Sequence, residues 1–89
     1  MTASSLNGAN GVFVSGRYAY VAVESVNRLT IVDVSNPMSP VVIGNVNDAT
    51  NLLGASDVFV SGGYAYVTAD GGDRLTVVDV NNPFSPKVK

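Results

Sequence analysis

The chain has 89 residues, 46% of them hydrophobic and 13% charged, with a net charge of −2 and a pI near 4.5. That balance argues against disorder and against a nucleic-acid partner, whose phosphates call for a basic patch. It contains no Cys and no His, which removes disulfides, thiolate nucleophiles, the commonest general base and the commonest transition-metal ligand.

No apolar run approaches the ~18 residues of a membrane span, so no membrane insertion is expected. The stretch from Met1 to Leu6 has neither the basic start nor the apolar centre of a signal peptide, and composition does not fix the compartment.

Residues 1–10 read as a connecting loop. A short strand over about 11–15 ends in Ser15-Gly16, and a tight hairpin turn leads into a second strand over 17–23. Glu24 to Asn27 is a longer turn. A third strand, 28–34, is rich in β-branched residues. Ser35-Asn-Pro breaks it, because proline lacks the N–H that a ladder needs. A fourth strand covers 41–46. The same order then recurs: loop 47–56 and strands over about 57–61, 63–69, 74–80 and 86–89, the last cut short by about three residues. Matched residues such as Tyr18 and Tyr64, or Asp33 and Asp79, lie 46 positions apart with no gap, and 24 of the 43 aligned pairs are identical. Leu6 and Leu52, one in each loop, are expected to tuck inward. Asp70 to Asp73 differs from Glu24 to Asn27, as turns tolerate better than packed strands do.

A period of this size indicates an array. Four short antiparallel strands per unit is the signature of a propeller blade. The expected fold is therefore an all-β β-propeller of four-stranded antiparallel blades, two per chain, over residues 1–46 and 47–89. The unbroken apolar runs Val12 to Val14 and Ala19 to Val23 suit strands buried on both faces; a two-sheet sandwich is the alternative. Two blades alone leave two bare outer faces, so the expected partner is the chain itself, in a ring closed head to tail. Two blades per chain allow only even totals within the usual range of about 4–8. A trimer of six blades or a tetramer of eight is expected, and Val32→Asp should abolish assembly.

The run Val-Ser-Gly-x-Tyr-Ala-Tyr-Val, followed by Arg-Leu-Thr-Ile-Val-Asp-Val-Ser-Asn-Pro-x-Ser-Pro, resembles the LVIVD repeat of bacterial and archaeal β-propellers. Ile31-Val-Asp33 and Val77-Val-Asp79 are the heart of that pattern. The resemblance covers nearly the whole chain in two copies. Arg28 and Arg74 stand where the family often has Gly, a departure that affects a turn. The resemblance implies a propeller fold and carries over no catalytic residue. Its members are mostly large, often cell-surface or secreted, and many-bladed. The length here therefore points to a two-blade piece of a longer propeller or to a design, with a short natural gene as the alternative.

Asp33 and Asp79 end the third strand of each unit. They are read as turn acceptors or partners of Arg28 and Arg74, against the alternative of a cation-binding ring of carboxylates. Asp70 and Asp73 flank two glycines and are the candidate metal residues, suited to calcium with backbone oxygens; an ordinary hairpin turn is the competing reading. Tyr18, Tyr20, Tyr64 and Tyr66 recur with period two, which suits packing against the next blade as well as stacking on a ligand. No catalytic residue and no cofactor site is expected. The first functional reading is a non-enzymatic, self-assembling structural module. The second is a propeller of a cell-surface protein that binds a small molecule, glycan or protein, with the turns at Glu24–Asn27 and Asp70–Asp73 on its binding face. The third is a metal-dependent hydrolase, which the missing His opposes.

Overall fold

The computed structural model describes residues 8–89. The architecture is all-β, two four-stranded antiparallel sheets, each a meander in which strands follow one another in space as in sequence. The first sheet holds β1 (Ala9–Ser15), β2 (Tyr18–Val23), β3 (Arg28–Asp33) and β4 (Val41–Asn47). The second holds β5 (Ala55–Ser61), β6 (Tyr64–Ala69), β7 (Arg74–Asp79) and β8 (Lys87–Val88). Each sheet is consistent with one propeller blade.

β1 and β5 begin two residues earlier than their sequence suggests. Ala9 pairs with Val23 and Ala55 with Ala69, and each register then shifts before Gly11 or Asp57. A bulge of this kind interrupts the period-two pattern by which a strand is recognised. The β1–β2 and β5–β6 hairpins close over two residues, with Gly16 at φ 60° and Gly62 at φ 59°. Glycine takes that left-handed conformation without a Cβ penalty.

The turns that differ most in sequence have the same backbone. Glu24–Val26 and Asp70–Gly72 each make one turn of 3-10 helix, closed by Asn27 at φ 57° and by Asp73 at φ 50°. Asn and Asp enter the left-handed region more readily than other non-glycine residues. The closing position therefore keeps a side chain suited to the left-handed region and the first keeps a carboxylate, while the middle two vary.

The sheets pack face to face. Tyr20, Ala22, Leu29 and Ile31 of the first meet Val58, Ala65, Val67 and Val78 of the second, and Leu52 of the connection is buried in the same cluster. Leu6 lies outside the described residues. Two glycines let the backbones touch at the edges of this junction. A Cβ on Gly11 would stand 2.9 Å from the Asp57 Cα, closer than such atoms approach, and one on Gly44 would stand 3.2 Å from the Pro83 carbonyl carbon, tighter than most such contacts.

The opposite face of the first sheet corrects one expectation. Ala19, Val21, Val23 and Val32 form a second buried cluster with Val34 and Val42 packed against it, so the middle of this face is not bare. It opens at β1, where Val12 and Val14 stand exposed.

Candidate functional site: the exposed face of the second sheet

Along β6 and β7 the side chains alternate. Ala65, Val67, Ala69, Thr76 and Val78 are buried against the first sheet, whereas Thr68 and Leu75 are exposed and Tyr64, Tyr66 and Val77 half-buried. Phe59 of β5 lies on this outer side, opposite Tyr66 in the register. Its ring still reaches the Phe13 ring at a centroid distance of 4.8 Å. Asp57, Phe59, Tyr66, Thr68 and Leu75 bound a shallow hollow of about 270 Å³.

Repeat-equivalent residues give the measure of this face. Leu29 is 0% exposed, and its counterpart Leu75 is 65% exposed. Val58 is 5% exposed, and its counterpart Val12 is 60% exposed. The identities are the same; Leu29 and Val58 face each other's sheet across the junction, and Leu29 also has Val46 of β4 beside it. Large apolar side chains clustered on one exposed surface mark a contact surface more often than a solvated one.

The tyrosines divide in the same way. Tyr20 is buried in the junction, and burial, with Tyr18 beside it, pushes its phenol pKa up. Tyr18 is half-buried, edge-on to Tyr20 at 6.4 Å, with the Arg17 guanidinium 5.9 Å from its ring centre. Tyr64 and Tyr66 are half-buried on the outer side of the second sheet.

Asp33 and Asp79 serve their own turns. Asp33 accepts the Ser35 backbone N–H at 2.9 Å and the Ser35 hydroxyl at 2.7 Å, and pairs with Arg17 at 2.9 Å. Asp79 accepts the backbone N–H and the side-chain amide of Asn81, both at 2.9 Å. These donors, led by Ser35 and Asn81, hold both carboxyls below the usual carboxylate range. The expected pairing with Arg28 and Arg74 does not form. Arg28 donates to the Asn47 side chain at 2.9 Å and Arg74 to that of Asn51 at 2.6 Å. The reason is distance: Arg28 and Asp33 occupy opposite ends of a six-residue strand, about 16 Å apart at the rise of an extended chain.

Asp70 sits in the 3-10 turn and Asp73 closes it. Among the described residues no three acidic side chains gather where they could hold a metal ion. The carboxylate that holds the connection is Asp48. It accepts the N–H groups of Thr50 and Asn51 and the Asn51 side-chain amide, which lower its pKa.

Sequence reasoning passed over Arg17, Asp57 and Thr68. Their signal was the loss of identity between copies: Gly11 becomes Asp57, Ala22 becomes Thr68 and Arg17 becomes Gly63. Comparison with curated proteins and with solved structures gave no match. The family model of the LVIVD repeat matches residues 8–48 and again 54–89, the two sheets in turn, and the chain belongs to the LVIVD-repeat family.

Proposed function

We propose that the chain is a non-enzymatic structural module that assembles with copies of itself into a closed propeller ring. The observation that carries this reading is the pair of unequal twins, Leu29 with Leu75 and Val58 with Val12. Each has a buried version at the internal junction and an exposed version on an outer face. Docking one copy on the next would give the exposed versions the surroundings of the buried ones. Each such side chain contributes about 1.5–3 kcal/mol when fully removed from water. Because the outer face of the second sheet differs from that of the first, whose middle is already buried and which opens only at Val12 and Val14, the contact would be heterologous, as in a ring.

The absence of His and Cys, together with the employment of Asp33, Asp48 and Asp79 in local turns, supports the non-enzymatic part. Two blades per chain give six or eight blades for a trimer or tetramer, within the range of about 4–8.

Native mass spectrometry of the 9.2 kDa chain tests the reading. A single closed species of three or four copies is the expected result. A folded monomer at every concentration overturns self-assembly. Binding of a glycan or metabolite by that monomer would favour instead a ligand at the hollow bounded by Phe59, Tyr66 and Leu75.

A further inference from the structure

Two turns of one pattern join the last two strands of each sheet: Asn36-Pro-Met-Ser-Pro40 between β3 and β4, and Asn82-Pro-Phe-Ser-Pro86 between β7 and β8. The Asn36 side chain accepts the Met38 N–H at 3.1 Å, and its carbonyl accepts the Ser39 N–H at 2.9 Å. Asn82 does the same for Phe84 and Ser85 at the same distances. Proline fills the other two places and has no N–H. From 37 to 40 and from 83 to 86, every backbone N–H is therefore either absent or already bonded. Each turn carries a large apolar side chain at its tip, Met38 at 90% exposed and Phe84 at 67%.

This exposure belongs to the turn and not to a missing neighbour. The second turn rests on the sheet before it, where a Cβ added to Gly44 of β4 would overlap the Pro83 carbonyl oxygen. The first turn has a sheet after it. Phe84 stands out with the preceding sheet in place, and Met38 with the following one, so a neighbour on either side leaves the tip free.

Charge is divided along the same direction. The turns Glu24–Asn27 and Asp70–Asp73 meet the connection at the far end, where Gly54 bonds to Asn27 and to Asp70. That end holds Glu24, Asp48, Asp57, Asp70 and Asp73 against two arginines. The end with the tips holds Arg17, Lys87 and Lys89 against Asp33 and Asp79. A chain that is acidic as a whole is slightly basic there.

We infer that the end carrying Met38 and Phe84 rests on an anionic lipid surface, with both side chains below the headgroups and Lys87 and Lys89 among them. A lipid interface offers little water to an unpaired N–H, and these turns bring none. It accepts two tips at once without a pocket shaped for either, and its negative headgroups attract the lysines. The chain lies on the membrane in this reading and does not cross it. The inference does not depend on the self-assembly proposed above.

Flotation of the full chain with phosphatidylcholine vesicles, with and without phosphatidylserine, tests this. Binding is expected with phosphatidylserine and should be much weaker without it. Met38→Ser and Phe84→Ser should each lower the partition coefficient about tenfold, the order for withdrawing one large apolar side chain. Lys87→Gln combined with Lys89→Gln should weaken binding by about tenfold or more, whereas Glu24→Gln, at the far end, should not weaken it. All five positions are exposed, so circular dichroism should show an unchanged fold. Undiminished binding by the Met38→Ser, Phe84→Ser double variant, or equal binding to both vesicles, overturns the inference. Binding to neither vesicle overturns it as well, and would leave the tips to an apolar pocket on a protein partner.

Discussion

The two sheets are close to a controlled experiment in burial. Leu29 and Leu75 share strand position and flanking residues in the chain, yet one is fully buried and the other largely exposed. Hydrophobicity accounts for neither outcome by itself. What differs is the surroundings: Leu29 has the second sheet and its preceding connection opposite it and Val46 of β4 beside it, whereas Leu75 pairs with Thr68 and with no residue of β8. Burial here is a property of the neighbour as much as of the residue, as expected for repeats that contact only adjacent units.

The sharpest way to break the comparison is to truncate both leucines. Leu29→Ala should cost about 2–5 kcal/mol in urea unfolding at dilute protein, as a core cavity does. Leu75→Ala should stay within about 0.5 kcal/mol under the same conditions. Equal losses would mean that Leu75 is covered in solution.

Next come the left-handed residues. Asn27 accepts the Gly54 N–H through its side chain at 3.0 Å, across the junction. Asn27→Gly keeps the backbone conformation but removes that acceptor, and should cost about 0.5–1.5 kcal/mol. Asp73 makes no such bond across the chain among the described residues, and Asp73→Gly relieves a non-glycine φ of 50°, so thermal unfolding of the dilute chain should show no loss.

Acid should act on both sheets at once. Asp33, Asp48 and Asp79 all titrate below their ordinary values, chiefly through hydrogen bonds from Ser35, Asn51 and Asn81. Each binds its proton more readily in the unfolded chain. Its contribution is therefore present above about pH 4 and is lost as pH falls through the lower, folded value. Thermal scans from neutrality to about pH 3 should show the midpoint dropping on the acid side, and replacing the three residues by Asn should flatten that drop.

The smallest expected effect lies at Arg17. Its bridge to Asp33 is exposed, and the second sheet has Gly63 in its place with the turn intact. Arg17→Gly should change stability by about 0.5 kcal/mol or less by chemical denaturation.

Much of this was legible in the sequence. Twenty-four identities at one offset located the two units, and Gly16 and Gly62 marked the hairpins because few other residues tolerate their φ. The Arg17–Asp33 bridge was legible in principle, since Tyr18 faces Asp33 in the β2–β3 register and Arg17 adjoins it. The likeness of the Glu24–Asn27 and Asp70–Asp73 turns was not, because a 3-10 turn is held by backbone groups and constrains one side chain in four. Which face would be exposed was invisible for a plainer reason: identical residues carry it in both copies. The candidate docking face emerged only when coordinates set Leu29 beside Leu75.

The meander order has a consequence for folding. Every strand pairs with its neighbour in sequence, so each sheet closes through local contacts of the kind that form quickly. During synthesis the first sheet can form once Asn47 has emerged, while the surface around Leu29 waits for β5 to β7 to follow. For that interval a finished sheet presents its stickiest side to other nascent chains, in the way that exposes folding intermediates to aggregation. Pausing translation near the connection that carries Leu52 would lengthen the exposure. The yield of soluble chain would then depend on the rate of synthesis as well as on the stability of the product.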